Sequence, residues 1–146
     1  MLAVGSKAPA FAVNDHRGKD VRLSDFLGRR LVLWFYPKAD TPGCTAEGCS
    51  YRDLSAEFDK KKAAILGVSF DSVSENAAFA EKFHFTYPLL CDTTRALGMA
   101  YGACDAPGDK SARRIAYVIG PDGTIEHAFP KVDARTHPAE VLNLLP

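Results

Sequence analysis

The stretch Leu31-Val32-Leu33-Trp34-Phe35-Tyr36-Pro37-Lys38-Ala39-Asp40-Thr41-Pro42-Gly43-Cys44-Thr45-Ala46-Glu47-Gly48-Cys49 decides how this chain folds. Its first six residues are apolar, with the length and the β-branched and aromatic content of a buried strand, and Pro37 ends the run. A loop of Thr, Pro and Gly follows. Cys44 then falls at or near the first turn of a helix reaching about to Lys61, where unpaired backbone N–H groups and the helix dipole favour an anion. A thiolate is such an anion, so the segment reads as a station for a nucleophile.

Strands and helices alternate outward from this segment. Phe11 to Asp15 and Val21 to Leu23 read as strands joined by a turn at Arg17-Gly18. Ala63 to Phe70 is a second apolar strand, and Ser72-x-x-Glu75 is a capping-box pattern opening a helix on which Phe79 and Phe83 lie one turn apart. Tyr87 to Cys91 supplies another strand and Thr94 to Tyr101 a short helix. Ala116 to Phe129 reads as a hairpin around Pro121-Asp122-Gly123, and Pro138 to Leu145 as a final helix with Val141, Leu142 and Leu145 on one face.

With 146 residues and 47% apolar content, the chain is expected to form one domain over residues 1–146, large enough for a real core. Basic and acidic residues balance at 18 each, and no run of like charge exceeds Lys60-Lys61-Lys62, so nucleic-acid and membrane partners are not indicated. The segment Met1 to Lys7 lacks a charged n-region and a long apolar h-region, and no stretch approaches the ~20 apolar residues of a membrane span. A cytoplasmic protein is expected. There structural disulfides are rare, and a spaced cysteine pair points to redox chemistry or metal.

Pro37-x-x-x-Thr41-x-x-Cys44 resembles the active-site signature of the peroxiredoxins. A second cysteine five positions later resembles their peroxiredoxin Q, or bacterioferritin comigratory protein, branch. Arg114, opening Arg114-Ile115-Ala116-Tyr117-Val118-Ile119 ahead of the Pro-Asp-Gly turn, matches the family's downstream arginine, and the likeness begins at Gly5-x-x-Ala8-Pro9-x-Phe11. The resemblance implies an α/β thioredoxin-like fold: a central mixed sheet flanked by helices, with an N-terminal β-hairpin addition. It implies a thiol peroxidase with no metal or organic cofactor, acting on hydrogen peroxide and organic hydroperoxides and recycled by a dithiol such as thioredoxin, as a monomer or homodimer. It makes Cys44 the peroxidatic nucleophile and Cys49 the resolver. Arg114, the Thr41 hydroxyl and the Cys44 backbone N–H become donors to the reacting oxygens. Pro37 shields the pocket, and Glu47, one turn beyond Cys44, holds an arginine in place.

Chemistry explains why such residues would gather. Helix N-termini and neighbouring cations favour thiolate over thiol, yet a more acidic thiol is also intrinsically less nucleophilic, so fast attack on an O–O bond needs transition-state stabilisation as well. Donors aimed at the departing oxygen typically supply a few kcal/mol each. The sulfenic acid that results can condense with a second thiol before over-oxidation. In an intact α-helix two Cα atoms five residues apart lie about 8.5 Å from one another, beyond the ~7 Å limit for bridging, so Cys49 can serve only if the helix start unwinds. Gly48 is expected to ease that unwinding, since glycine weakens a helix interior by ~1 kcal/mol relative to alanine.

Other readings compete. Cys91, ending an apolar run, reads as a small core hydrophobe. Cys104 departs from the family pattern and is expected to be an exposed, idle thiol, with an alternative resolver role left open. Thr41 alone could be a turn or cap residue, Glu47 a first-turn acid and Arg114 or Arg113 a solvated strand-end charge. A zinc module fits poorly, because C-x4-C is not a knuckle spacing and His16, His84, His127 and His137 are scattered. A disulfide oxidoreductase would use C-x-x-C, which the chain lacks. A stoichiometric thiol sensor remains the alternative to an enzyme.

Overall fold

A computed structural model describes residues 1–146. An N-terminal antiparallel hairpin, β1 (Ala12–Asn14) and β2 (Asp20–Arg22), runs into a single 3-10 turn at Leu23–Phe26. β3 (Arg30–Phe35), α1 (Pro42–Asp53), α2 (Ser55–Lys60), β4 (Ala63–Ser69), α3 (Val73–Phe83), β5 (Leu89–Cys91), α4 (Ala96–Tyr101), β6 (Ala116–Ile119), β7 (Ile125–Phe129) and α5 (His137–Leu144) follow. The five-stranded sheet has the order β5-β4-β3-β6-β7, parallel from β5 to β3 and antiparallel from β3 to β7.

β3 lies at the centre of the sheet, which is why its sequence is a continuous apolar run instead of an alternation. Its period-two side chains part into two cores. Leu31, Leu33 and Phe35 join Leu66, Val68, Tyr101, Tyr117 and Ile119 on one face. Val32, Trp34 and Tyr36 join Cys44, Tyr51, Phe58, Phe79 and Leu89 on the other. Cys44 therefore belongs to the core that the helices α1, α3 and α5 close.

The expected elements form, with three local differences. The helix expected to carry Cys44 at or near its first turn and to reach about to Lys61 is interrupted at Leu54 (φ −96°, ψ 2°). There the Ser55 hydroxyl donates to the Tyr51 carbonyl at 2.9 Å, the acceptor an unbroken helix would give to the Ser55 N–H. The strand expected from Tyr87 begins at Leu89, because Pro88 has no N–H to give to a ladder. The short helix starts at Ala96, since Arg95 holds a left-handed φ of 64°. The capping box at Ser72 and Glu75 is formed in both directions, at 3.2 and 3.0 Å. No helix is long and apolar enough to cross a membrane.

Candidate active site

The end of β3, the loop after it, the first turns of α1 and the segment entering β6 converge on one sulfur. Thr41 is the N-cap of α1 with extended backbone (φ −98°, ψ 156°), and Pro42 occupies the first helical position, where its missing N–H costs nothing. Cys44 is thus the third residue of the helix and has no exposed surface. The Phe35 N–H donates to the Ile115 carbonyl at 2.8 Å, which extends the β3–β6 pairing by one step and sets Arg114 beside the helix start. The Arg114 guanidinium then forks: Nη2 donates to Cys44 Sγ at 3.4 Å and Nη1 to Glu47 Oε1 at 2.8 Å.

Glu47 is completely buried, and its Oε2 has no hydrogen-bond partner. Burial pushes its carboxyl up to about 7, against the pull of the Arg114 hydrogen bond and charge in the other direction. The pair is therefore poised: Arg114 is anchored on one side by a carboxyl reluctant to ionise, and its second arm is aimed at the sulfur. The arginine that Glu47 pairs with is Arg114.

Gly43 is a functional position that the sequence pattern does not single out. A Cβ built there would stand 2.8 Å from Arg114 Nη2, closer than real side chains approach. Glycine beside the nucleophile is what lets the guanidinium cross the helix start. A lone glycine before a cysteine carries no such message in one dimension. Asp71 is another such position. Its Oδ2 accepts from the Ala39 N–H and the Ser69 hydroxyl, each at 2.8 Å, and so ties the loop before Thr41 to the end of β4.

Pro37 is half-buried at the head of that loop and lines a cleft of about 460 Å³ with Lys38, Phe70, Asp71, Glu75, Lys110 and Ser111. The Thr41 hydroxyl donates to the Lys38 carbonyl at 2.7 Å, so its proton is committed within the loop. Its oxygen is left as an acceptor, the reverse of the donor role that the family resemblance implies.

All four cysteines are free thiols. Cys44 and Cys49 lie in one uninterrupted stretch of α1, the former buried and the latter partly exposed. Gly48, between them, is packed so closely on Phe85 that a Cβ would fall 2.5 Å from the ring. The residue read as an easing of the helix is therefore also one of its fixed contacts. Cys91 is a core residue, its sulfur accepting from Asn76 Nδ2 at 3.4 Å. Cys104, expected to be exposed, is 5% accessible, packed in the core with Leu97, Tyr101 and Ala112. The backbone explains this: the Arg113 N–H donates to the Ala103 carbonyl at 2.8 Å and folds the loop inward. Burial raises the pKa of both thiols. Arg113 points elsewhere, to Asp105 and the Gly102 carbonyl. No three His, Cys, Asp or Glu side chains come together as metal ligands would.

The chain is similar over nearly its whole length to known proteins. The model of the AhpC/TSA family matches residues 4–128. Peroxiredoxin Bcp of Escherichia coli (strain K12) is 38% identical over 152 residues, spanning 99% of this chain and 96% of that protein. The crystal structure of peroxidoxin BcpB from Mycobacterium tuberculosis superposes with a TM-score of 0.90 at 33% identity, covering 98% of this chain and 96% of that one. The bacterioferritin comigratory protein of Xanthomonas campestris superposes with a TM-score of 0.85 at 34% identity, covering 91% and 88%. Likeness of this extent establishes the thioredoxin-like fold with its central mixed sheet and N-terminal hairpin. A cysteine at a helix start under an arginine fork, in a chain alike from end to end to these proteins, makes it a peroxiredoxin of the AhpC/TSA family, in the peroxiredoxin Q or bacterioferritin comigratory protein branch.

Proposed function

We propose that this chain, acting as one domain over residues 1–146, reduces hydrogen peroxide and organic hydroperoxides through a sulfenic acid on Cys44 and a disulfide between Cys44 and Cys49. Membership of the family makes it a thiol-dependent peroxidase. The Xanthomonas campestris relative is described for its alkyl peroxide reduction activity. The observation that carries the reading is the fork of Arg114, with one arm on Cys44 Sγ at 3.4 Å and the other on Glu47 Oε1 at 2.8 Å.

The sulfur anion attacks one oxygen of ROOH. A sulfur–oxygen bond forms, the O–O bond breaks, and RO⁻ leaves and takes a proton to become ROH. Sulfur is thereby oxidised by two electrons to S–OH. Arg114, already fixed by Glu47, needs no reorganisation to meet charge appearing on the departing oxygen, which is where preorganised donors act. The Thr41 oxygen accepts the peroxide's O–H and orients it, while Pro37 keeps water from the loop. Cys49 then attacks the sulfenic sulfur, the S–S bond forms and water leaves. A dithiol of the thioredoxin type restores both thiols, and no metal or organic cofactor enters any step. The protein acts in the cytoplasm, as a monomer or homodimer.

The test is turnover: peroxide-dependent oxidation of a reduced thioredoxin system by the purified protein, with Cys44→Ser as control. Many turnovers by the wild type and none by Cys44→Ser are expected, because a hydroxyl at that position is not ionised near neutral pH. A single stoichiometric oxidation would instead make the chain a sensor. Activity of Cys44→Ser above a small fraction of wild type would remove Cys44 as the nucleophile.

A further inference from the structure

The active-site helix is gripped at the place where it has to give way. Residues 83–87, from the last residue of α3 towards β5, meet α1 and the start of α2 at four points. Arg52 Nη1 donates to the Phe83 carbonyl at 2.7 Å, and the Ser55 and Thr86 hydroxyls lie 3.2 Å apart. The buried Tyr87 hydroxyl donates to the Gly48 carbonyl at 2.7 Å. The Phe85 ring covers the Gly48 Cα so tightly that no side chain fits there. Behind these contacts the rings are rigidly backed: Phe85 stacks on Tyr87 at 5.4 Å and 15°, and meets Phe79 of α3 edge-on at 4.9 Å.

Gly48 lies between the two sulfurs of the proposed disulfide and adjoins Cys49. Bridging requires the Cα separation to fall from the helical value of about 8.5 Å to below ~7 Å, so the backbone from Thr45 to Gly48 must leave the helix. Two holds oppose this. The first, Arg114 on the Cys44 sulfur, is altered by peroxide itself, because S–OH replaces the sulfur anion. The second, on Gly48, does not depend on the oxidation state of any sulfur and persists into the oxidised enzyme.

We propose that Tyr87 and Phe85 are positioning residues that clamp Gly48, and that release of this clamp sets the rate at which Cys49 reaches the sulfenic acid. The inference rests on the proposed Cys44–Cys49 pairing. The clamp then fixes how the sulfenic enzyme divides between two fates. In one, Cys49–SH condenses with Cys44–SOH to give S–S and water. In the other, a second ROOH oxidises Cys44–SOH to the sulfinic acid and leaves as ROH. A tight clamp favours the second.

Tyr87→Phe is the decisive variant, because it keeps the ring stack and removes only the donor to Gly48. Reduced protein is mixed with hydrogen peroxide and followed through its single tryptophan, Trp34, which stacks on Tyr51 of α1 at 5.2 Å; acid-quenched samples are read by mass. The expected result is disulfide formation about fivefold faster, equivalent to about 1 kcal/mol at 1.36 kcal/mol per tenfold. The peroxide needed for half over-oxidation rises by about the same factor, and the second-order rate of the first step stays within about twofold of wild type. Tyr101→Phe removes a bond of the same kind, from the Tyr101 hydroxyl to the Pro9 carbonyl at 2.6 Å, in the core on the opposite face of the sheet. It should change neither fate.

An unchanged rate of disulfide formation in Tyr87→Phe would overturn the clamp, and so would equal acceleration by Tyr101→Phe. Oxidised wild type lacking a Cys44–Cys49 disulfide would overturn the pairing beneath it, and that result is visible without any variant.

Discussion

Gly43→Ala separates the aim of Arg114 from the stability of the helix. An alanine Cβ would stand 2.8 Å from Arg114 Nη2, while ordinary contact begins at 3.4 Å, so the guanidinium end has to retreat by about 0.6 Å. Arginine tips move easily, but this one already spends both arms, on Glu47 at 2.8 Å and on Cys44 at 3.4 Å. Retreat lengthens the arm to the sulfur. Loss of one charge-assisted hydrogen bond is worth about 1.5–3 kcal/mol, so the second-order rate with peroxide should fall by roughly 10- to 100-fold. Helix propensity works the other way, alanine being up to ~1 kcal/mol better than glycine inside a helix. Thermal stability should therefore hold or rise while activity falls. Stopped-flow reaction with hydrogen peroxide and a thermal melt of the same preparation measure the two. A second-order rate within twofold of wild type would refute the reasoning, as would a loss of activity that merely tracked a loss of stability.

Three further outcomes are expected. Arg114→Lys keeps the charge but not the planar fork, so peroxide reactivity should drop about tenfold or more, whereas Arg113→Lys, whose parent pairs with Asp105 away from the sulfur, should do much less; equal rates for Arg114→Lys and wild type would contradict the assignment. Burial raises the Glu47 carboxyl from 4.5 to about 7, so the folded state binds its proton more tightly than the unfolded chain does; this contribution is fully present below about pH 4.5 and is lost as pH rises to about 7. Linkage makes that loss up to about 3 kcal/mol, and Glu47→Gln should flatten it, as melts of both proteins between pH 5 and pH 8 would reveal; parallel profiles would show that Glu47 does not titrate in this range. Cys49→Ser should react once with peroxide, yield a dimedone adduct, fail to turn over and over-oxidise readily, and the tryptic peptide from Ala39 to Arg52 of oxidised wild type should be two hydrogens lighter. A link from Cys44 to Cys104 or to another subunit would displace Cys49 as the resolver.

Much of the fold is legible in the chain because it depends on residues close together in sequence. The apolar run before Pro37, the Ser72–Glu75 box and the Pro-Asp-Gly turn are local preferences, and each forms where it was expected, while α1 takes in Pro42 and Gly43 of the stretch that reads as a loop. The family likeness implied a central mixed sheet, but its order, β5-β4-β3-β6-β7, comes from the tertiary structure, since periodicity says which face is buried and not which strand lies alongside.

The site divides in the same way. The sequence by itself determined a cysteine at a helix start, a second cysteine one and a half turns on and an arginine ahead of a strand. Only the tertiary structure decided that Arg114 reaches across 70 residues to the sulfur, that Gly43 makes room for it, and that Glu47 is buried enough for its carboxyl to be raised. The same holds for the inward fold of Cys104 and the grip of Phe85 and Tyr87 on Gly48. Each of these depends on the separation between two segments distant in the chain. Local sequence sets backbone preference and burial pattern, whereas a contact of a few ångströms between remote segments is set by how the whole core packs.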